Sequence, residues 1–302
     1  MSRRLHDAVA LGYNSGSGII AEKNRRVAAS LGARWPGRVL PLSVIDLGVG
    51  DGAMLAQLAA QDLPMRMTGL DVSPAMLRLA ASRVPLAVVE ASAERALEHL
   101  PPARHDLVLA HFILAYVDRA TLLAQARDLL APDGLLSLVT STEEGGAPFY
   151  ELGRQFRAAR HPVKRALAWA ADRALAKSDV PKRFSDLEAD IEACGLMILH
   201  RETLRQQVTF RDAADAYRFG IEEGWAANLL AMPLLPLRAG KALARWGTRQ
   251  AAYPFSFTQV IEMLEIGRLQ PAVAAASPFR TAGELNASFP QAALARRSQG
   301  GR

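Results

Sequence analysis

Between about Val39 and Thr140, five short and nearly continuous apolar runs alternate with stretches whose apolar residues recur every three or four positions. The runs are "VIDL", "MRMTGLD", "LAVVE", "DLVLAHF" and "GLLSLVTS". That rhythm predicts parallel strands joined by crossover helices. Strands that are apolar at almost every position must be covered on both faces, so the expectation is an α/β chain built on a doubly wound sheet. Ser73 followed by Pro74 marks one helix start, and "APDG" at residues 131–134 marks a turn before the fifth strand. Ligands of such sheets bind beyond the strands' carboxyl ends, which directs attention to the residues just after Leu47, Asp71, Glu90 and Ala110.

The first of these ends lies in "VIDLGVGDG", Val44 to Gly52, where Gly48, Gly50 and Gly52 follow Asp46 at every second position. A strand running into a glycine loop that opens a helix offers free backbone amides and lets a ligand lie against the main chain. A dinucleotide loop would place its third glycine at position 53, where this chain has Ala53. The alternate spacing instead resembles motif I of the class I S-adenosylmethionine-dependent methyltransferases. "GLDVSPAML" resembles that family's second motif and "HDLVLAHFILAYVD" its fourth, while "LLAPDGLLSLVTS" supplies the usual helix, turn and fifth strand. "VVEASAERALEHLP" resembles the third motif in part, with Ser92 standing where many members carry an aspartate. The matches run from about Val39 to Ser141, roughly a third of the chain.

The resemblance implies a mostly parallel, seven-stranded sheet of the class I methyltransferase type, with helical insertions forming a lid. It implies S-adenosyl-L-methionine as cofactor and S-adenosyl-L-homocysteine as the product of methyl transfer. In that reading Asp46 recognises the cofactor's ammonium group, directly or through water, or else caps the glycine turn; Gly48 and Gly50 form the backbone cradle, and Gly52, opening a helix, either joins it or serves packing alone. Asp71 accepts from both ribose hydroxyls, for which a carboxylate has the capacity. Val72 lies beside the adenine, the backbone around Ser92 and Ala93 reads the base edge, and His111 and Phe112 stand near the sulfonium. His111, with an ordinary pKa of ~6.5, reads as a base or substrate contact, or as a strand-end histidine held by a neighbouring carbonyl. Tyr13, in "GYNSGSG", reads either as a ring against the sulfonium or as a loop tyrosine, and Arg26 as a partner for the methionine carboxylate.

Along the chain, residues 1–38 are expected to form a helical cover over the cofactor. Residues 39–145, 184–205 and about 254–268 form the core. Residues 146–183 and 206–253 are helical lid insertions, and 269–302 a tail, partly disordered. Arg154 to Arg183 hold nine Lys or Arg against two acids, so Arg154, Arg157 and Lys164 form either a basic lid over an acidic acceptor or a solvated face. "FGIEEGW", with Glu222, Glu223 and Trp225, is the other acceptor-pocket candidate; Tyr116 is a further contact or a packing residue. Gly195 ends a helix ahead of a sixth strand, and the β-prone Phe255, Phe257, Thr258, Val260 and Ile261 favour a last strand over a helix.

These expectations combine into an enzyme that methylates a small molecule by in-line transfer. The single cysteine, Cys194, and the six histidines show no metal-ligand spacing, so no metal is expected, and there is no G-x-S-x-G. No stretch approaches the roughly 18 apolar residues of a membrane span, and a cytoplasmic location is expected. Part of the net charge of +6 sits in a terminal "ARRSQGGR", and the basic insertion lacks the aromatic interleaving of a base-stacking surface. Nucleic acid is therefore not the expected partner; a homodimer is compatible with the sequence. The rival readings are cyclisation or aminocarboxypropyl transfer releasing methylthioadenosine, methylation of RNA or protein, a non-catalytic cofactor-binding module, and a NAD-linked dehydrogenase.

Overall fold

The structure is a computed structural model that describes residues 18–143, 154–175, 179–225 and 236–269. Tyr13, most of the apolar segment at 228–237 and the tail from 270 onward lie outside the described residues. The elements in chain order are α1 (Gly18–Gly32), β1 (Leu42–Leu47), α2 (Ala53–Ala59), β2 (Met65–Asp71), α3 (Pro74–Arg83) and β3 (Ala87–Glu90). A 3₁₀ turn (Ala93–Glu98), β4 (His105–His111), α4 (Arg119–Leu129), β5 (Leu130–Ser141) and α5 (Pro162–Leu175) follow. The chain continues through α6 (Phe184–Ala193), β6 (Leu196–Phe210), α7 (Ala213–Tyr217), a π-helical turn (Arg218–Glu222), α8 (Leu237–Thr248) and β7 (Phe255–Arg268).

Among the described residues the sheet has seven strands in the order β3-β2-β1-β4-β5-β7-β6. Strands β1 to β5 pair in parallel, and β7 runs antiparallel to both β5 and β6. The chain reverses direction across the sheet between β1 and β4, the crevice in which open α/β sheets bind ligands. Alternating side chains feed two cores, one per face. Ile45, Leu47, Val108 and Ala110 join one, while Val44, Leu107 and Leu109 join the other. Two-sided burial is the reason β1, β4 and β5 read as unbroken apolar runs, whereas β3, at the sheet edge, departs from that expectation and is mostly exposed.

Several local signals act as their chemistry predicts. Ser73 caps α3 by accepting from the Met76 N–H at 3.2 Å, with Pro74 behind it, and Gly195 takes φ +71° just past α6. The "APDG" turn appears as an excursion inside β5, whose pairing with β4 jumps from His105 opposite Leu130 to Leu107 opposite Leu135. The 255–268 segment is a strand. Its buried Glu262 is held by Arg201 at 2.9 and 3.0 Å and by Thr203 at 2.8 Å, so the acids in this apolar strand are paired.

One boundary differs from expectation. The sixth strand continues to Phe210 instead of closing near Arg205, because every residue from His200 onward finds a partner on β7 and Phe210 packs with Phe219 and Phe257. Within the 1–38 segment, α1 sinks Ile19, Ile20, Val27, Ala28 and Leu31 into the same core as Val44 and Leu109. Burial of this kind is worth about 2 kcal/mol per large aliphatic side chain, which makes α1 part of the domain's packing. No helix among the described residues is long and apolar enough to cross a membrane.

Candidate active site

The glycine loop begins where β1 stops. The amides of Gly48 and Val49 both donate to the Leu70 carbonyl, at 2.7 and 3.0 Å, and that of Gly50 donates to Asp71 Oδ2 at 3.0 Å. Gly48, Gly50 and Gly52 take φ values of +88°, +53° and +75°, in the region that favours glycine. Two of them also make room for the protein itself. A Cβ on Gly48 would stand 2.8 Å from Ile113 Cδ1, and one on Gly52 2.8 Å from the Ala80 Cα. Gly52 lines neither cavity described below and serves the close approach of α2 to α3.

Two adjoining cavities, of about 890 and 620 Å³ and open at the surface, meet at Gly48, Gly50, His111, Phe112 and Tyr116. The smaller holds Asp71, Val72, Ser92 and Ala93 together with the apolar Leu70 and Met76. Asp71, 8% exposed, anchors the loop through Oδ2 and accepts from the Ser73 N–H through Oδ1 at 2.9 Å. The carboxylate thus lies at the wall of the smaller cavity while holding the loop.

The larger cavity holds Asp46 and, from α1, Lys23 and Asn24. Asn24 Oδ1 and Asp46 Oδ1 are buried and have no hydrogen-bond partner among the described residues. Orphaned acceptors of this kind are costly, and here both face the end of the glycine loop. Lys23 Nζ lies 3.2 Å from His111 Nδ1 and 5.4 Å from the centre of the Phe112 ring, while His111 Nε2 lies 3.0 Å from Ser137 Oγ. Burial, with the Lys23 charge adding to it, pushes His111 well below its usual pKa of 6.5. The ring is therefore neutral and engaged at both nitrogens, which removes the argument for a base poised near neutrality. Phe112, at φ +54°, holds a backbone conformation costing about 1–3 kcal/mol, the kind of strain that gathers at functional sites.

Burial raises Asp46 from 3.8 to about 7, against the pull of Lys23, and lowers Lys23 from 10.5 to about 7. Between about pH 4 and 7 the folded chain retains on Asp46 a proton that the unfolded chain releases, so this group makes stability fall as pH rises. Lys23 acts oppositely between about pH 7 and 10. Asp46→Asn should accordingly flatten the decline in the cofactor-free protein's Tm from about pH 4.5 to 7. Equal slopes for the two proteins in scanning calorimetry would contradict this assignment.

Other candidates sort by position. Tyr116 lines both cavities, and burial pushes its hydroxyl up to about 12. Trp225 lines the larger one, stacked on Phe219 at 5.3 Å and edge-on to Phe112 at 5.4 Å. Glu222 is exposed and points elsewhere; its neighbour Glu223 is the cavity residue. Arg154 lines neither cavity, Arg157 pairs with Asp172, and Lys164 lies over the Phe156 ring. Arg26 is committed to Glu22 and Glu202, at 2.5 and 2.7 Å. Lys23, Asn24, Asp51, Thr140 and Ser141 are polar cavity residues to which the sequence assigned no role, and Glu223 is one to which it assigned only a shared role.

The family model described as "Methyltransferase domain" matches residues 44–134, a span that includes the glycine loop, Asp71 and His111. Residues 44–134 of the chain thus match a methyltransferase domain. A trans-aconitate 2-methyltransferase of Methylobacterium radiotolerans is 40% identical to it over 119 residues, 39% of this chain and 44% of that protein. A malonyl-acyl-carrier-protein O-methyltransferase of Geobacter sulfurreducens is 30% identical over 168 residues, 54% of this chain and 61% of that protein. The chain thus spans less than two thirds of the length of either curated relative. A crystal structure of a Bacillus halodurans protein, named for a methyltransferase, superposes at a TM-score of 0.51 with 14% identity. It covers 81% of this chain and 98% of that one, a likeness of fold. The matched span runs from β1 through β4 and contributes Asp46, Gly48, Gly50, Asp71 and His111 to the cavity walls.

Proposed function

We propose that this chain binds S-adenosylmethionine across the two cavities and transfers its methyl group to a small-molecule acceptor. The observation that carries the reading is the pair of orphaned acceptors, Asp46 Oδ1 and Asn24 Oδ1, beside a glycine loop that Asp71 ties to the adjoining cavity. An ammonium group with three N–H donors satisfies such acceptors, and the carboxylate of Asp71, at the wall of the smaller cavity, is an acceptor suited to ribose hydroxyls. Val72, Met76 and the chain at Ser92 and Ala93 offer a slot for a flat base.

The bound cofactor supplies a methyl group on sulfur that is already a good leaving group, so the chain need contribute neither metal nor nucleophile. Its task is to hold acceptor and methyl in line, about 3–3.5 Å apart, and to exclude water. Phe112, Tyr116 and Trp225 provide apolar walls for this. His111, tied between Lys23 and Ser137, holds the Lys23 side chain in place, and we assign it positioning in preference to proton transfer. The relatives' names favour a carboxylate acceptor, as did the basic stretch at 154–183, but Arg154, Arg157 and Lys164 line neither cavity.

Incubating the protein with methyl-labelled S-adenosylmethionine and a small-molecule cell extract tests the reaction. Mass spectrometry should find S-adenosylhomocysteine together with one labelled small molecule. Methylthioadenosine as the nucleoside product would replace methyl transfer with use of the aminocarboxypropyl arm.

A further inference from the structure

A third buried acceptor faces the larger cavity, and it comes from outside the sheet. Glu223 follows the π-helical turn, and its N–H donates to the Arg218 carbonyl at 2.9 Å, five residues back. The extra residue in that turn rotates the chain, so that Glu222 is exposed while Glu223, 6% exposed, lines the cavity. Glu223 Oε2 is buried without a hydrogen-bond partner among the described residues, and Oε1 stands 3.9 Å from Arg218 Nε, beyond hydrogen-bond reach. Gly224, at φ +94°, then turns the chain and sets Trp225 on the same wall.

The charges around this cavity run against an anionic occupant. Glu223 lines it beside Asp46, which the cofactor's ammonium group takes up, and Asp51, which Arg83 pairs at 3.0 Å, and Lys23 is the one Lys or Arg side chain lining it among the described residues. Lys23 is engaged by His111, and its pKa near 7 leaves it partly neutral. Burial also raises Glu223 above its usual value, which a hydrogen-bond donor placed at Oε2 would offset. A carboxylate entering here would meet like charge at low dielectric, which is costly, whereas an O–H or N–H donor fills the vacant acceptor. The stacked Phe219 and Trp225 rings and the edge of Phe112 supply a rigid aromatic wall beside it.

We propose that Glu223 is an acceptor-binding residue of this site: its carboxylate accepts a hydrogen bond from an O–H or N–H of a neutral or cationic, ring-bearing small molecule packed against Trp225. The proposal rests on the methyl-transfer reading and assigns its substrate class. The probes are tyramine and catechol as donor-bearing rings and trans-aconitate as the carboxylate, each titrated by calorimetry into protein saturated with S-adenosylhomocysteine. Tyramine or catechol should bind and trans-aconitate should not. Glu223→Gln should weaken the donor's binding by about tenfold, the worth of one hydrogen bond to a charged group, while S-adenosylhomocysteine affinity stays within about twofold.

Binding of trans-aconitate, absence of binding by both donors, or donor affinity unchanged in Glu223→Gln would overturn the proposal. A tenfold loss of S-adenosylhomocysteine affinity in that variant would overturn it too, by moving Glu223 into the cofactor's site. Wild-type protein that binds no S-adenosylhomocysteine would instead refute the methyl-transfer reading, a failure distinguishable from the others at the first titration.

Discussion

Asp71→Ala is expected to weaken S-adenosylhomocysteine binding by roughly a hundredfold, about 3 kcal/mol. Two losses add. The ribose hydroxyls lose an ionised acceptor, and the Gly50 and Ser73 amides, now held at 3.0 and 2.9 Å, lose the group that fixes the loop and the start of α3. The amides are freed at a mostly buried position, so the variant should also melt earlier, and its affinity must be measured on protein shown to be folded by circular dichroism. An affinity within threefold of wild type would show that Asp71 serves the loop alone.

Gly52→Ala should act on stability, by about 3 kcal/mol. The new Cβ would sit 2.8 Å from the Ala80 Cα and 2.9 Å from its Cβ, on a backbone at φ +75°. The first neighbour is main chain and cannot swing aside as a flexible side chain would. Overpacking costs about 1–3 kcal/mol, and an L side chain at that φ adds about 1 more. For a domain of this size the change corresponds to a fall in Tm of about 6–12 °C. A Tm unchanged within about 1 °C would mean that α2 and α3 do not approach as described.

The sheet was legible because its physics is local. A strand buried on both faces must be apolar throughout, and five such runs with helical spacers leave few topologies. Ser73, Pro74 and Gly195 act within one or two residues of themselves, and their roles follow from the side chain alone. The glycine loop was legible as a site, but its glycines divide. Gly52 answers to Ala80, 28 positions along the chain, a contact that spacing does not announce.

What the sequence concealed depends on burial from elsewhere. Lys23 and Asn24 sit in "IIAEKNRRVAASL", where a lysine reads as solvated until α1 is pressed against the sheet. His111 stands at the edge of β4 as expected, but its low pKa comes from burial and from Lys23, 88 residues away in sequence. Glu222 and Glu223 are chemically identical neighbours, and a single π turn decides which enters the cavity. The length of β6 was set by its partner, since "QQVTF", residues 206–210, falls in the expected helical insertion until β7 pairs with it.

The central claim is that the crevice between β1 and β4 holds a sulfonium cofactor and not a dinucleotide. Isothermal titration calorimetry of the wild-type protein with S-adenosylhomocysteine and, separately, with NAD tests it most directly. One S-adenosylhomocysteine per chain and no heat from NAD is the predicted result. Binding of NAD with none of S-adenosylhomocysteine would contradict the account.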